Sequence, residues 1–390
     1  MISYRLDPEH EDLRATVAEF AREVVAPVIG GYYERGEFPY EIVARMGKLG
    51  LFGLPFPEEY GGMGGDYFAL CLALEELARV DSSVAITLEA GVSLGAMPIY
   101  RFGTAEQRRR WLPGLCAGER LAAFGLTEPG GGSDIPGGMR TTARSEGGEW
   151  VIDGTKAFIT NSGTSITSLV TVLAITGTTA AGDGQVKKEI SAIIVPNDTP
   201  GFTVGPKYSK VGWCASDTRE LAFSECRVPA ANLLGERGRG YAQFLQILDE
   251  GRIAIAALSV GLAQGCVDEC LKYAAEREAF GQRLGRYQAI QFKIADMAAR
   301  VHTARLAWYN AAALLVAGEP VKKQAAIAKL TASDAAMDNA RDATQIFGGY
   351  GFMNEFPVAR FYRDAKILEI GEGTSEVQRM IIARELGLPG

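Results

Sequence analysis

The chain has 390 residues, 47% of them hydrophobic and 22% charged, a composition typical of a globular protein with two or three domains. Its net charge of −7 argues against a nucleic-acid-binding or anionic-membrane-binding protein. Because there are only two histidines, His10 and His302, a histidine-rich metal site or a histidine-based triad is close to excluded. We expect no metal site.

The six cysteines contain no CxxC pair, so we expect buried free thiols and a reducing compartment. The N-terminal segment is charged and has neither the apolar stretch of a secretory signal nor the Arg-rich composition of a transit peptide. The longest apolar run, roughly residues 253–267, is shorter than the ~20 residues that a membrane span requires. These features favour a cytoplasmic protein without a membrane span.

Residues 1–120 carry helical patterns. Asp7 and Pro8 form an N-cap followed by proline at the first helical position, and apolar residues then recur with helical spacing as far as Val24. A second helical pattern covers residues 67–80, and Thr104 and Gln107 have the spacing of a capping box. We predict a helical N-terminal domain over residues 1–120.

From residue 121 to residue 235, glycines, prolines and short β-branched runs replace the helical period. Strands are predicted at residues 150–152, 157–160, 169–173, 190–195, 202–204 and 221–223. Asp153-Gly154 predicts a hairpin turn between two strands, and residues 196–201 form another turn cluster. The middle domain is therefore predicted to be a small antiparallel sheet.

Residues 236–390 return to helical patterns, with long segments at 241–278, 288–317 and 321–347. Such helices, joined by short links, predict an antiparallel bundle. Gly348 is expected to be a left-handed C-cap, and Ser375 with Gln378 has the spacing of a capping box that opens the last helix. The predicted fold class is mainly α with a central β domain.

Because histidine is scarce, the glycine-rich segments are the places where chemistry is expected. Residues 127–134 expose backbone N–H groups, residues 158–161 place a ring and a hydroxyl on one strand face, residues 345–351 end a long helix, and residues 371–374 place Glu372 between glycines. Taken alone, each has an ordinary explanation: a turn, a cross-strand pair, a helix cap or a surface charge.

Six segments, taken together and in order, change this interpretation. They are residues 127–134, 150–161, 249–252, 276–281 with Gln288, 345–349 and 372–375. On these motifs the chain resembles the acyl-CoA dehydrogenase family over residues 6–386. The resemblance implies an N-terminal helical domain, a small β-barrel or sheet domain and a C-terminal four-helix bundle.

The resemblance also implies an activity: an FAD-dependent enzyme that removes two hydrogens from the α and β carbons of an acyl-CoA, giving the trans-2-enoyl-CoA. Glu372 would take the α proton, and its backbone N–H together with a flavin ribityl hydroxyl would hold the developing enolate oxygen. A hydride would pass to the flavin N5, and the electrons would go to an electron-transferring flavoprotein. The helix N-terminus after Ser375 opposes a rise in the pKa of Glu372, so desolvation must outweigh it.

The implied cofactor contacts are Phe124, Leu126, Thr127, Ser133, Phe158, Thr160, Arg277, Phe280, Gln288, Gln345, Gly348, Gly349, Thr374 and Glu376. Of these, Arg277, Phe280, Gln288 and the 345–349 turn would bind the FAD of an adjacent subunit. This implies at least a dimer, and the resemblance implies a homotetramer, which is usual in the family. The implied substrate contacts are Ser133, Asp249, Arg252, Gly371 and Gly373, with Arg252 also suited to the CoA phosphates.

Departures from the family pattern bear on the substrate. Members that place the base on the helix have a carboxylate at the position of Gly251, and neighbouring Glu250 would point about 100° away, so Glu372 is the better candidate. Many relatives carry Tyr where this chain has Gly371, so the pocket is expected to be wider beside the reacting carbons. Ile135-Pro136 replaces a shorter Ala-Gly and leaves the path of the following loop open.

Several alternatives remain open from the sequence. The substrate is a short straight-chain or a short branched-chain acyl-CoA, in fatty acid β-oxidation or in branched-chain amino acid catabolism. Within the fold, an acyl-CoA oxidase or a non-catalytic acyl-CoA-binding flavoprotein is the competing interpretation. A helical structural protein without a cofactor would bind no flavin at all.

Overall fold

A computed structural model describes residues 6–180 and 186–389. The N-terminal domain consists of helices α1 Pro8–Phe20, α2 Ala26–Arg35, α3 Tyr40–Lys48, α4 Tyr67–Ala78, α5 Ser82–Glu89, α6 Met97–Phe102 and α7 Ala105–Cys116. Two π-helical segments, Ala21–Val25 and Ala90–Ala96, join α1 to α2 and α5 to α6. The Asp7 cap and the Thr104 capping box are both present, which confirms the predicted starts of α1 and α7.

The middle domain is a twisted sheet in the order β6-β7-β3-β2-β4-β5-β8, with β1 paired to β4. Its strands are β1 Leu121–Gly125, β2 Thr142–Glu146, β3 Glu149–Thr160, β4 Thr167–Ala180, β5 Val186–Pro196, β6 Phe202–Lys207, β7 Thr218–Pro229 and β8 Leu233–Leu234. The prediction of an antiparallel sheet is wrong for β1, which runs parallel to β4, and β2 meets β4 in parallel at one position. Neither β1 nor β2 is joined to β4 by a hairpin turn, so no short turn sets the direction of either strand relative to β4.

The hairpin turn predicted at Asp153-Gly154 is wrong. Strand β3 continues through both residues, and the pairing register with β7 shifts between Ile152 and Gly154, which is a β-bulge. Gly154 has a φ of 148°, and a Cβ there would lie 2.5 Å from the Thr141 hydroxyl, so the bulge requires glycine. The actual hairpin turn between β2 and β3 is formed by Gly147 and Gly148, with φ values of 62° and 85°.

The C-terminal domain is a helical bundle. Its elements are α9 Gly240–Glu276, β9 Glu278–Ala279, β10 Gln282–Arg283, α10 Gln288–Val316, α11 Lys322–Phe347, α12 Pro357–Leu368 and α13 Ser375–Glu385, with a short helix α8 Ile135–Gly138 in the middle domain. Gly348 ends α11 with φ 60° and ψ −130°, so the predicted left-handed cap is wrong in ψ although φ is positive. The negative ψ places Gly348 outside the left-handed helical region, in which ψ is positive.

The predicted capping box at the start of α13 is also wrong. The cap is Thr374, one residue earlier, whose hydroxyl accepts a hydrogen bond from the Val377 N–H. Gln378 is therefore free of the capping role, and its side-chain amide donates to the carbonyls of Glu372 and Gly373 at 3.3 and 2.8 Å. This glutamine braces the segment that precedes the helix.

Two helical stretches, Ser82–Phe102 and Gly240–Glu276, are long and apolar enough to cross a membrane. In these stretches 94% and 83% of the most apolar window is buried inside the fold, as expected for core helices. They pack against each other and against β1, where Gly91 and Gly95 allow close approach to Leu121 and Ala122. The core helices thus bring α5, α9 and the first strand together.

All three domains meet at one buried carboxylate. Asp364 of α12 accepts hydrogen bonds from Tyr33 Oη at 2.5 Å, Ser82 Oγ at 2.6 Å and the backbone N–H of Trp213 at 2.6 Å. Because these donors lie on α2, at the start of α5 and in the loop between β6 and β7, the contact fixes the domains relative to one another.

Candidate active site

The segment between α12 and α13 has an unusual backbone. Glu372 has a φ of 50° and Gly373 a φ of 92°, so two consecutive residues are left-handed. A non-glycine residue in this region is strained, and such strain is typical of functional sites. Gln378 and Lys329 hold the turn in place, the lysine by donating to the Gly373 carbonyl at 2.8 Å. The carboxylate of Glu372 is thereby aimed inward.

Gly251 on α9 provides the space for that carboxylate. A Cβ at position 251 would collide with Oε2 of Glu372, and both carboxyl oxygens of Glu372 are shielded from solvent. Glu250, the neighbouring acid, points elsewhere and forms an ion pair with Arg101 at 3.0 Å. The geometry therefore brings the carboxylate of Glu372, and not that of Glu250, to the face of α9 at Gly251.

Burial dominates the electrostatics of Glu372. It raises the pKa of the carboxyl to about 7, and the charges of Arg252 and Lys329 oppose this rise. The effect of burial on this pKa also outweighs that of the N-terminus of α13, which favours the ionised form. A carboxyl with this pKa is a stronger base than an exposed glutamate and is still partly ionised at neutral pH.

Asp249 and Arg252 lie on the same helix, two residues before and one residue after Gly251. Their side chains form an ion pair, and the Arg252 side chain is only 5% exposed. Burial raises the pKa of Asp249, an effect that Arg252 opposes. This position puts the arginine charge beside Glu372 inside the site, which favours a role there over a contact to solvent-exposed phosphates.

A second group of predicted residues surrounds the ends of β1 and β3. Lys156 of β3 is fully buried and donates to Glu128 at 2.8 Å and to the Leu126 carbonyl at 3.3 Å. Burial alone would raise the pKa of Glu128, but Lys156 and the backbone donors around it hold that pKa low. The Ala157 N–H also donates to the Thr127 carbonyl at 2.9 Å. The loop after β1 is thus tied firmly to β3.

This group presents an aromatic ring and two hydroxyls. The Phe158 side chain is 66% exposed and its φ is 62°, while Thr127 and Thr160 are half-buried. Phe124, in contrast, is buried and stacks on Phe244 with 3.9 Å between ring centroids, so only its backbone can face a ligand. Leu126 is likewise buried.

The loop left open by the sequence forms one helical turn. Asp134 caps α8 by accepting a hydrogen bond from the Gly137 N–H at 3.0 Å, and Pro136 lies in the first turn. Ser133 precedes this cap and is exposed. The Ile135-Pro136 pair therefore starts a short helix rather than extending the loop.

The third group lies at the far end of α9. This helix has 37 residues and so spans about 55 Å at 1.5 Å per residue. The residues of this third group are all exposed: Arg277, Phe280, Gln288, Gln345, Gly348 and Gly349. The Arg277 guanidinium lies 5.7 Å from the Tyr350 ring centroid, which joins the segment after α9 to the turn after α11, and the Phe280 side chain is 98% exposed. Glu372 packs against Gly251, 26 residues before Arg277, so the two groups lie about 39 Å apart along the helix axis.

The remaining predicted contacts lie beside the start of α13. Thr374 and Glu376 line a cavity of about 240 Å³ together with Arg379 and Lys366. Glu372 does not line this cavity, and its carboxyl oxygens are shielded from solvent. Gly371 and Gly373 flank Glu372, and a side chain at Gly373 would collide with the Gln378 amide.

Three family models match the chain, one for each domain. They are the acyl-CoA dehydrogenase N-terminal, middle and C-terminal domains, over residues 7–119, 123–226 and 238–387. The chain belongs to the acyl-CoA dehydrogenase family. It is an oxidoreductase of this flavoprotein family, and the acyl-CoA dehydrogenase fold implied by the resemblance is confirmed.

The relatives of this dehydrogenase include short-chain enzymes. It is 49% identical to a probable acyl-CoA dehydrogenase of Bacillus subtilis (strain 168), over 99% of this chain and 100% of the relative. It is 44% identical to the mitochondrial short-chain specific acyl-CoA dehydrogenase of Mus musculus, over 98% of this chain and 91% of the relative. The solved butyryl-CoA dehydrogenase of Megasphaera elsdenii superimposes with a TM-score of 0.93 at 41% identity, covering 99% of this chain and all of that one.

Two residues of the dehydrogenase's site were not predicted from sequence. Lys329 is fully buried, burial lowers its pKa to about 8, and it supports the Glu372 turn. Glu89 is fully buried at the end of α5, and the neighbouring Glu372 carboxyl contributes to the rise of its pKa. Glu89 carried a usable signal, since it is the only charged residue between Asp81 and Arg101. Lys329 carried none, because its partner is 44 residues away.

Proposed function

We propose that this enzyme dehydrogenates a short straight-chain or short branched-chain acyl-CoA at the α and β carbons, with Glu372 as the base. The observation that carries the proposal is the Glu372 carboxyl itself. It is shielded from solvent, held over Gly251 by a left-handed turn, and its pKa is raised by burial to about 7. Such a base suits the removal of a weakly acidic proton α to a thioester.

The chain's own residues perform the proton transfer. Glu372 takes the α proton, and its backbone N–H donates to the thioester oxygen, on which negative charge develops. Lys329 and Gln378 fix the turn through the Gly373 carbonyl, so that the carboxylate and the N–H keep their relative position. Arg252 adds a buried positive charge near the developing negative charge.

The residues around β1 and β3 fit a flavin. An exposed ring at Phe158 beside two half-buried threonine hydroxyls, Thr127 and Thr160, matches one face and one polar edge of a flat heterocycle. The Lys156–Glu128 pair keeps these two strands in fixed register. When bound, FAD would supply the acceptor for the hydride that leaves the β carbon.

The third group is proposed to serve a neighbouring subunit. Arg277, Phe280, Gln288 and the 345–349 turn are exposed and lie at the end of α9 remote from Glu372. A homotetramer in which each FAD is completed by a second chain accounts for both the exposure and the separation. This arrangement follows the family resemblance.

The position of Gly371 supports a short or branched acyl group. The nearest atom to a Cβ at this position would be the Ile367 carbonyl at 3.4 Å, so the site has ordinary room for a side chain that is absent. The missing bulk widens the pocket next to the reacting carbons. The named short-chain and butyryl-CoA relatives also support a short substrate.

An electron-transferring flavoprotein is proposed as the electron acceptor, on the family resemblance. The competing function is an oxidase, which would pass electrons to oxygen. The two are separated by comparing the rate of flavin reoxidation in air-saturated buffer with the rate in the presence of an electron-transferring flavoprotein under nitrogen.

The test is an anaerobic titration of the purified protein, followed by its visible spectrum. Butyryl-, isobutyryl-, isovaleryl- and octanoyl-CoA are added in turn, and bleaching by a four-carbon or five-carbon thioester is expected. A protein that stays colourless after reconstitution with FAD would overturn the proposal. A yellow protein that none of the thioesters bleaches would indicate a non-catalytic binder or another substrate.

A further inference from the structure

Glu89 is the most unusual titratable group outside the proposed reaction. It is 0% exposed, and both carboxyl oxygens are shielded without a protein donor among the described residues. It ends α5 immediately before the π-helical segment Ala90–Ala96, an irregularity that often marks functional sites. An isolated ionised carboxylate in this position would be costly, so a neutral acid is expected.

Among the described residues, no cation faces Glu89. Tyr67 and Cys71 face it from α4, Ser93 faces it from the π-helical segment, and Glu372 faces it from the turn before α13. The Ser93 hydroxyl is also hydrogen-bonded to the Tyr67 hydroxyl at 2.9 Å. Burial and the Glu372 carboxylate both raise the pKa of Glu89 well above the usual range.

The charged groups around Glu372, in contrast, include two cations. Arg252 from α9 and Lys329 from α11 face it and favour its ionised form. Two carboxylates accept but do not donate, so a hydrogen bond between Glu89 and Glu372 exists only when one carries a proton. The unequal distribution of cations places that proton on Glu89.

We propose that Glu89 is a positioning residue that, as a neutral carboxylic acid, donates a hydrogen bond to the Glu372 carboxylate and holds it over Gly251. The inference rests on the proposed function, because it assigns Glu89 a role through the base. Glu89 takes no proton from substrate. It orients Glu372 and stabilises its ionised form, offsetting part of the effect of burial.

The first test is the pH dependence of kcat/KM of the FAD-loaded enzyme for butyryl-CoA. Glu89→Leu removes the donor, so the pH at which activity rises on the acidic side of the profile is expected to increase by about one to two pH units. Glu89→Gln keeps a neutral donor and is expected to move it less. Glu76→Gln is a matched control, since Glu76 is a buried acid of α4 paired with Arg79, and it should leave the profile in place.

The direction of the shift decides the proposal. An unchanged profile in Glu89→Leu would overturn the hydrogen bond. A downward shift would overturn the neutral acid, because removing a negative charge lowers the pKa of a nearby carboxyl. If Glu89→Gln and Glu89→Leu shift the profile equally, Glu89 has only a packing role, and the proposal that it positions Glu372 is overturned.

The second test needs no turnover. Infrared difference spectra of the substrate-free protein at about pH 9, where Glu372 is ionised, are expected to show a carboxylic-acid C=O band that Glu89→Gln removes and Glu372→Gln retains. A band that survives Glu89→Gln, or is lost in Glu372→Gln, would overturn the assignment. If the band behaves as expected while no acyl-CoA bleaches the flavin, the carboxyl pair stands and the proposed function fails. If butyryl-CoA bleaches the flavin but the band does not behave as expected, the inference fails and the proposed function stands.

Discussion

At the scale of single residues, the pH dependence of activity follows from Glu372. The protonated carboxyl cannot accept the α proton, and below the pKa the ionised fraction falls tenfold per pH unit. With the pKa raised by burial to about 7, kcat/KM for butyryl-CoA is expected to rise with pH and to level off above about 7. Initial rates from about pH 5 to about pH 9 measure this, and a profile that is flat across that range contradicts it.

Gly251 gives a second residue-scale prediction. In Gly251→Ala the new Cβ collides with Oε2 of Glu372, so the carboxylate must move away from the reacting carbon. We expect a loss of kcat of roughly 100-fold, since displacements of about 1 Å have effects of this size. Steady-state kinetics and flavin content are the measurements.

Gly30→Ala is the matched control for this substitution. Gly30 is also a helical glycine, and the nearest atom to its Cβ would be the flexible end of Arg360 at 3.4 Å. Its activity should match the wild type. Full activity of Gly251→Ala would show that the base does not depend on the space above α9.

At the scale of elements, the Lys156–Glu128 pair joins the loop after β1 to β3. Lys156→Met leaves a buried carboxylate without its cation, which costs about 3–5 kcal/mol in comparable buried pairs. We expect a lower unfolding temperature and faster loss of FAD. Thermal unfolding and flavin release measure the two effects.

Arg144→Met serves as the control for that change. Arg144 is an exposed cation of β2 that pairs with Asp153 and Glu225, and exposed pairs contribute little to stability. Its unfolding temperature should stay near that of the wild type. Equal effects of the two substitutions would mean that the buried pair has no special role in the flavin loop.

The same scale shows where sequence patterns succeed and fail. The caps of α1 and α7 were predicted because both partners lie within one turn of the cap. The turn at Asp153-Gly154 was wrong because a bulge and a hairpin need the same residue types, and the register with β7 decides between them. The parallel direction of β1 depends on β4, more than forty residues later, and no local signal specifies it.

In the candidate site, too, local patterns were predictive and contacts between residues distant in sequence were not. Glu372 was predicted because its flanking glycines are local and its motif is shared with a family. The sequence indicates only that Gly251 carries no carboxylate, and the structure adds its physical role, which is to leave space for Oε2 of Glu372. Glu89 and Lys329 act through partners distant in sequence, so the pattern around each indicates only a buried charge.

At the scale of the whole molecule, the wide separation of Glu372 and Arg277 predicts complementation between subunits. Glu372→Gln removes the base, and Arg277→Glu places a negative charge where an adjacent subunit's FAD is expected. In a hybrid of the two variants, one site combines a wild-type Glu372 with a wild-type Arg277 from the other chain. Differently tagged chains, co-expressed and purified as hybrids, are therefore expected to recover activity that neither parent has.

The parent proteins are the controls for this experiment. Glu372→Gln alone should bind FAD and be inactive, and Arg277→Glu alone should lose FAD. Hybrids as inactive as both parents would contradict a site shared between subunits and would place each FAD within one chain.

The most direct measurement of the central claim is an anaerobic single-turnover experiment with butyryl-CoA. The wild type and Glu372→Gln are each mixed with an excess of the thioester, and the flavin absorbance is followed in time. We expect rapid bleaching of the wild type, and a Glu372→Gln protein that binds the thioester but bleaches roughly 10²–10⁴-fold more slowly, the range a general base supplies. Bleaching of both proteins at the same rate would show that Glu372 is not the base.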